Sequence, residues 1–159
     1  MILSAVRRNR IIWGGNYFNL PPTRCVVCWD KEQPWENFSQ VELAWTSFDM
    51  PAKLYRKGVS GGNINDMRNI PKIHPTQKPV ELYAYLLSKF ITDEGGVIFD
   101  PMMGSQSSRI AAYMKGIDYV GCEIDEEYFK KGCERFERRC HGTVVTTEGK
   151  KITQLDLFG

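Results

Sequence analysis

Between Pro79 and Cys140 the sequence alternates helix-like and strand-like segments, and this alternation constrains the fold more than any other feature. Apolar residues from Tyr83 to Ile91 recur at helical spacing, whereas "VIFD" and "DYVGCE" are short apolar runs typical of buried strands. The predicted order is a helix over 79–94, a strand over 97–100, a helix over 107–115, a strand over 118–123 and a helix from 126. This order favours an α/β fold with a doubly wound, mostly parallel sheet.

The first half of the chain predicts three further strands and then an irregular segment. Short apolar runs at 10–15, 24–29 and 41–48 are strand-like and are punctuated by glycine or proline. From Met50 to Ile73 the pattern is lost, and this stretch is rich in Gly, Asn and Pro. It holds five basic residues against one acidic residue. We predict a long basic loop there, and long loops in compact domains are commonly functional or disordered.

The helix from 126 has a defined start and a predicted buried face. Asp125 is a favourable N-cap, because its side chain can accept a bond from an otherwise unpaired helical N–H group. Phe129, Cys133 and Phe136 recur at helical spacing, so we expect them to pack into the core.

Composition places limits on the class of protein. The chain of 159 residues is long enough for one domain with a substantial core, and its net charge of +2 is too small to indicate nucleic acid by itself. No stretch approaches a membrane span, and we see no secretory leader. Five irregularly spaced cysteines do not suggest a disulfide framework, so we expect a cytoplasmic protein with reduced thiols. Cys25 and Cys28 lie in a strand-like run, where residues three apart point to opposite faces, so we expect no metal site.

The stretch "FDPMMGSQSS", from Phe99 to Ser108, predicts a ligand-binding loop. It joins the end of a strand to the start of a helix, which is where α/β sheets bind ligands. Gly104 permits a close approach of a ligand to the backbone, and Asp100 can accept hydrogen bonds from an amine or from loop amides. Glu123 ends the next strand 19 residues after Gly104, and a carboxylate there suits a ribose diol.

The same loop favours a cofactor that has a ribose but no phosphates. "GSQSS" lacks the Gly-x-Gly-x-x-Gly pattern that packs against a pyrophosphate, which disfavours a nicotinamide-dependent dehydrogenase. S-adenosylmethionine has the required chemistry, since it combines an adenosine with an ammonium, a carboxylate and a sulfonium. A glycine turn and a strand-end acid are also common structural features of α/β folds, so these two features leave the question open.

Three motifs in order resemble the DNA amino-methyltransferases, which methylate adenine N6 or cytosine N4. "HPTQKP" precedes a helix, then comes "VIFDPMMGS", then "GCEID". This is similar to the permuted subgroup in which the cofactor half follows the catalytic half. The segments "IIWGGNYF" and "ELAWTSF" also resemble strands of that family, so the likeness covers about Arg8 to Cys140. One departure is Gln106, where the family often has a second glycine.

The resemblance implies a Rossmann-like methyltransferase fold and a set of residues for S-adenosylmethionine. Lys78 would neutralise the methionine carboxylate of the cofactor, and Glu123 would hold its ribose. The complete predicted set is His74, Thr76, Gln77, Lys78, Asp100, Met102, Gly104, Ser105 and Glu123.

The family's catalytic motif, an Asp, Asn or Ser followed by Pro-Pro and an aromatic residue, is not found. In the family its polar residue orients the target amino group and its aromatic ring stacks on the flipped base. The nearest substitute, Leu20-Pro21-Pro22-Thr23, lacks both groups, so no catalytic residue is assigned. We expect a sheet that is incomplete at its N-terminal side. Three explanations stay open: a truncated enzyme, a second chain that completes the sheet, or a non-catalytic module that binds DNA or the bacterial sliding clamp. For the complete enzyme we favour adenine N6 over cytosine N4.

The resemblance also points to DNA contacts in the first half. The candidate phosphate contacts of the basic stretch are Lys53, Arg56, Lys57 and Arg68, with a solvated loop as the alternative. Candidates for lining a base pocket are Trp13, Asn16, Tyr17 and Phe18, with core or sheet packing as the alternative.

The C-terminal sequence "QLDLF" resembles the short peptide with which bacterial DNA-processing proteins bind the sliding clamp. Its candidate contact residues are Gln154, Leu155, Leu157 and Phe158, and a tail docked on its own domain is the alternative. The predicted organisation is therefore strands over 1–49, a basic loop over 50–73, a cofactor-binding half over 74–140 and a tail over 141–159.

Overall fold

The computed structural model describes residues 9–58, 72–91 and 96–142, together with 144–145, 149 and 151–152. The chain divides into two compact units, Met1–Asn65 and Asp66–Gly159. In the part that the structure describes, no helix is long and apolar enough to cross a membrane.

The first unit contains a four-stranded mixed sheet. Its strands are β1 (Ile11–Trp13), β2 (Val26–Asp30), β3 (Val41–Thr46) and β4 (Lys53–Arg56), in the spatial order β1-β3-β2-β4. Strand β3 runs antiparallel to β1 and β2, while β4 runs parallel to β2. Alternate residues of β2 face the core, and the buried side chains of this sheet are Cys25, Val27, Trp29, Ala44 and Thr46. The three strands predicted from short apolar runs are thus confirmed.

Strand β4 corrects the prediction of an irregular loop from Met50 to Ile73. Lys53–Arg56 pairs in parallel with β2, so Cys28 lies opposite Leu54. Four residues are too short for a periodic pattern to stand out, and it is the backbone of β2 that supplies the hydrogen-bond partners. Residues 59–71 lie outside the described part of the chain.

The second unit has the predicted alternation of helices and strands. Its elements are α1 (Val80–Phe90), β5 (Val97–Asp100), α2 (Ser107–Met114), β6 (Asp118–Gly121) and α3 (Glu126–Phe136), followed by a π-helical turn at Glu137–His141 and a two-stranded hairpin of β7 (Val144–Val145) and β8 (Lys151–Ile152). Strands β5 and β6 are parallel, and Asp100 pairs with Gly121 at their carboxyl ends. The loops after both strands therefore leave from one edge of this sheet.

The three helices of the second unit pack on one another through an apolar cluster. Its buried members are Val80, Ile110, Ala111 and Phe136. The N-cap prediction for α3 is confirmed, because the Asp125 carboxylate accepts a hydrogen bond from the Tyr128 N–H at 2.8 Å.

Phe129 corrects the predicted buried face of α3. Its side chain is 44% exposed, whereas the buried stripe of the helix begins one turn later, at Gly132, and continues through Phe136. Helical spacing identifies which face is apolar, but the neighbouring elements decide where along the helix burial begins.

Candidate functional site

The loop between β5 and α2 turns on Gly104. This residue is buried and has a φ of +48°, a left-handed conformation that glycine adopts at little cost. The ring of His74 lies against it, since a Cβ placed at this position would be 3.5 Å from three atoms of that ring. The loop and the His-Pro-Thr-Gln-Lys-Pro segment, which the sequence analysis selected separately, are therefore in contact.

Glu123 joins this loop to the end of β6. Its Oε2 accepts a hydrogen bond from the Gly104 N–H at 2.7 Å, and its Oε1 accepts one from the Asp125 N–H at 3.1 Å. Each carboxylate oxygen can accept a second bond, so the group is oriented by the backbone and keeps capacity for two further donors. A vicinal diol offers two such donors.

Asp100 shapes the loop from within. Its Oδ1 accepts a bond from the Met102 N–H at 3.1 Å, and its Oδ2 accepts one from the Ser108 hydroxyl at 2.6 Å. The Tyr119 hydroxyl lies 3.0 Å from Ser108 Oγ. Burial, and then the charge of Asp100, raise the pKa of Tyr119 well above its ordinary value. Because the Ser108 proton is donated to Asp100, the Tyr119 hydroxyl is the donor to Ser108 Oγ, and the raised pKa keeps this donor protonated into the alkaline range.

The segment before α1, from Ile73 to Gln77, is held in its conformation by hydrogen bonds between its own residues. The Thr76 N–H donates to His74 Nδ1 at 3.2 Å, and the Gln77 N–H donates to the His74 carbonyl at 3.0 Å. Gln77 is buried, and its side-chain oxygen accepts a bond from the Ile73 N–H at 3.0 Å. His74 also packs edge-on against Tyr128 of α3, with 4.4 Å between the ring centroids. These contacts preorganise the segment beside the loop.

Serine side chains tie the loop to the same segment. Ser107 Oγ donates to the Lys78 carbonyl at 2.7 Å, and the Ser105 and Ser107 hydroxyl oxygens lie 3.2 Å apart. The nine predicted cofactor residues therefore all lie in one unit, on the loop, on the strand ends and on the segment that contacts them.

Ile124 is a candidate that the sequence analysis missed. It directly follows Glu123 and is fully exposed, and Met102 of the loop is 70% exposed. Exposed large apolar side chains beside an oriented carboxylate would suit the flat face of an aromatic base. The signal in the sequence is an apolar residue immediately after the strand-end acid, and only the exposure distinguishes it from a core residue.

Gln106 occupies a position that needs a left-handed backbone. Its φ is +58° and its side chain is fully buried, donating to the Phe129 carbonyl at 3.2 Å and to Cys133 Sγ at 3.4 Å. Arg109 donates to its side-chain oxygen at 2.8 Å. A left-handed φ explains a preference for glycine here, while the hydrogen bonds explain how glutamine is accommodated.

The predicted DNA-contacting residues lie in the first unit or outside the described chain. Lys53 and Arg56 begin and end β4, Arg56 forms an ion pair with Asp30 at 3.4 Å, and the Lys57 carbonyl accepts a bond from the Trp29 indole N–H at 3.1 Å. Arg68 lies outside the described residues, as do the four residues of the predicted clamp peptide: Gln154, Leu155, Leu157 and Phe158.

Exposed aromatic side chains gather at one edge of the first sheet. Strands β1, β2 and β4 run in the same direction, so the segments after them leave from the side of the sheet where these three strands have their carboxyl ends, which we call the carboxyl edge. Tyr17 and Phe18 follow β1 and are 84% and 62% exposed. Trp35 and Phe38 follow β2 and are 50% and 69% exposed. Of the other candidates for a base pocket, Asn16 is exposed and Trp13 is half-buried within β1.

The fold and this loop define an α/β protein with a site suited to a nucleoside-containing ligand. Residues 13–134 match the sequence family described as DNA methylase, of the N6 and N4 type, so the chain belongs to this family of DNA methylases. The predicted family is thereby confirmed.

Two relatives illustrate the match. The chain is 27% identical over 119 residues to the type II methyltransferase M.HpaI of Haemophilus parainfluenzae, covering 68% of this chain and 38% of that protein. It is 29% identical over 97 residues to the DNA adenine methyltransferase YhdJ of Escherichia coli K12, covering 57% of this chain and 33% of that protein. The chain thus spans only about a third of the length of these curated relatives.

Two solved structures share the fold. The M1.HpyAVI–SAM complex has a TM-score of 0.51 at 20% identity, covering 69% of this chain and 60% of that one. The PvuII DNA methyltransferase, described as cytosine-N4-specific, has a TM-score of 0.52 at 16% identity, covering 68% of this chain and 49% of that one. These similarities confirm the Rossmann-like α/β methyltransferase fold.

Proposed function

We propose that this chain is the cofactor-binding portion of an S-adenosylmethionine-dependent DNA amino-methyltransferase. The observation that carries the proposal is the Glu123 carboxylate, oriented by the Gly104 N–H at 2.7 Å, in a loop that also contacts His74. The neighbour M1.HpyAVI, whose structure is a complex with SAM, supports the choice of cofactor.

The residues of the loop fit this cofactor by their chemistry. Glu123 retains two acceptor positions for the ribose hydroxyls, and Met102 and Ile124 offer apolar surface to the adenine. The family resemblance assigns the methionine carboxylate to Lys78, whose backbone carbonyl is bonded to Ser107 Oγ beside the loop. Asp100 and Gln77 hold the loop and its neighbouring segment in shape through their own hydrogen bonds. When bound, S-adenosylmethionine supplies an electrophilic methyl group on a sulfonium.

A binding experiment tests the cofactor proposal. The 159-residue chain is titrated calorimetrically with S-adenosylhomocysteine, with NAD⁺ as the competing cofactor class. Glu123→Gln should weaken the affinity for S-adenosylhomocysteine roughly tenfold to a hundredfold, because the ribose loses a charge-assisted acceptor. Glu126→Gln, an exposed acid in the first turn of α3, is the matched control and should leave affinity unchanged. Binding of NAD⁺ in preference, or equal effects of both variants, would refute the proposal.

We further propose that DNA is the substrate and adenine N6 the methylated atom. A relative named DNA adenine methyltransferase, 29% identical over 97 residues, supports adenine over the cytosine-N4-specific neighbour at 16% identity. Mass spectrometry of nucleosides from treated DNA distinguishes N6-methyladenine from N4-methylcytosine. The chain should be assayed alone and mixed with a polypeptide that carries the family's Asp-Pro-Pro-aromatic motif. N4-methylcytosine as the product would overturn the choice of adenine, and DNA or clamp binding without methylation in either assay would favour the non-catalytic module.

The carboxyl edge of the first sheet is our proposed DNA contact. The exposed rings of Tyr17, Phe18, Trp35 and Phe38 can stack on bases, and Arg56 lies at the same edge where β4 ends. The loop that presents Trp35 and Phe38 is held in shape, since the buried Gln33 amide donates to the carbonyls of Phe38 and Ser39 at 2.8 and 2.9 Å.

A further inference from the structure

Arg135 is a buried cation in the helix that flanks the loop. It lies in α3 and is only 1% exposed. One nitrogen of its guanidinium, Nη1, donates to the Ser105 carbonyl at 2.6 Å and to Ser107 Oγ at 3.0 Å. Both acceptors belong to the segment that leads from Gly104 into α2.

The directions of the hydrogen bonds around Ser107 follow from its single hydroxyl proton. That proton is donated to the Lys78 carbonyl at 2.7 Å, so Ser107 Oγ must accept the bond from Arg135. For the same reason, the Ser105 hydroxyl is the donor across the 3.2 Å that separates the two serine oxygens. The network therefore connects α3 to the loop and the loop to the His-Pro-Thr-Gln-Lys-Pro segment.

Arg135 stays charged in this environment. Burial, followed by the neighbouring charge of Arg138, lowers the pKa of Arg135 to about 10, which is still well above neutral pH. A charged donor strengthens a hydrogen bond to a carbonyl, whereas burying a cation is costly unless its environment is polar. An apolar side chain of similar size would avoid the cost of burying a charge but would leave the buried Ser105 carbonyl without this donor.

We propose that Arg135 is a positioning residue for the cofactor loop. By holding the Ser105 carbonyl and the Ser107 hydroxyl, it keeps the Gly104 N–H directed at Glu123 and keeps Lys78 attached to the loop. The proposal rests on the proposed function in so far as the ligand of the loop is S-adenosylmethionine.

Two substitutions at Arg135 and one control test the proposal on the full chain. Arg135→Met removes every donor, and Arg135→Lys keeps the charge with a different donor geometry. Leu86→Ala, a buried site on α1 outside this network, provides a general loss of stability for comparison. Each variant is measured for thermal stability, for its Kd with S-adenosylhomocysteine, and for amide hydrogen exchange at Gly104.

Arg135→Met should weaken binding of S-adenosylhomocysteine roughly tenfold or more and accelerate exchange at Gly104, because small displacements of a preorganised site are costly. Arg135→Lys should recover part of the affinity for S-adenosylhomocysteine and part of the protection from exchange at Gly104. This variant remains informative if Arg135→Met does not fold. Leu86→Ala should lower thermal stability while leaving the Kd and the exchange at Gly104 close to those of the wild type under native conditions. Equal effects of Arg135→Met and Leu86→Ala would overturn the positioning role. Failure of the folded wild type to bind S-adenosylhomocysteine would refute the proposed function instead, and exchange at Gly104 would still decide the role of Arg135.

Discussion

Replacing Gly132 with alanine is expected to destabilise the protein, although alanine is the better helix former. In an unobstructed helix this change stabilises by about 1 kcal/mol. Here the new Cβ would lie 2.7 Å from both Cγ and Nε2 of Gln106, closer than side chains tolerate. Gln106 is fully buried, so it cannot move into solvent to relieve the contact.

The size of the effect follows from opposing contributions. Overpacking of a buried site costs about 1–3 kcal/mol. A displaced Gln106 would also lose its bonds to the Phe129 carbonyl and Cys133, at about 1 kcal/mol for the stronger of them. Subtracting the gain in helix propensity of about 1 kcal/mol leaves a net loss of about 1–3 kcal/mol.

A double-mutant cycle with Gln106→Gly isolates the contact. Glycine suits the left-handed backbone at 106 and removes the obstructing side chain, so Gly132→Ala should stabilise that background by about 1 kcal/mol. The change of sign corresponds to a coupling of about 2–4 kcal/mol, measured by urea denaturation of all four proteins. Lys130→Ala, an exposed site on the same helix, should show no coupling to Gln106→Gly. Additivity of Gly132→Ala and Gln106→Gly would refute the reasoning.

Four further predictions concern the buried network, the DNA edge and the tail, two of them at the DNA edge. The unfolded chain loses the Tyr119 proton near its ordinary pKa of 10.0 while the folded chain retains it, so the free energy of unfolding should fall as pH rises above about 10. Tyr119→Phe should remove up to about 1.4 kcal/mol per pH unit of that fall. An unchanged dependence of stability on alkaline pH in this variant would contradict the prediction. Arg56→Gln should reduce the slope of log K for DNA binding against log salt concentration by about 0.9. Arg24, which is similarly exposed and is paired with Asp49 at the opposite edge of the sheet, is the control, and Arg24→Gln should leave the slope unchanged. Equal slopes for the two variants would count against DNA contact at this edge. Trp35→Ala should weaken binding of DNA by about 1–3 kcal/mol, measured by fluorescence anisotropy of a labelled oligonucleotide. Deleting residues 154–159 should abolish capture by a bacterial sliding clamp, and retained capture would reject the tail as the clamp-binding peptide.

Sequence alone was sufficient for features that depend on neighbouring residues. The N-cap at Asp125 is local, since an aspartate before a helix bonds an N–H three residues later in many contexts. The spacing from Gly104 to Glu123 is set by one helix and the strand after it, both of ordinary length, and the Gly104 N–H lies 2.7 Å from Glu123 Oε2.

Tertiary structure alone decided the features that depend on distant partners. Strand β4 exists because β2 offers it a backbone edge, and each residue of β4 pairs with a residue 26 positions earlier in the chain. Four residues are too few to show a periodic pattern of their own. Gln106 is tolerated because Gly132 leaves it room, and Phe129 is exposed because burial of α3 begins one turn later. The reach of Arg135 to Ser105 and Ser107 follows from how α3 packs beside the loop, and no spacing within the sequence encodes that distance. Local hydrogen bonds and periodic burial can be read along a chain, whereas close contacts between side chains depend on how the elements pack in space.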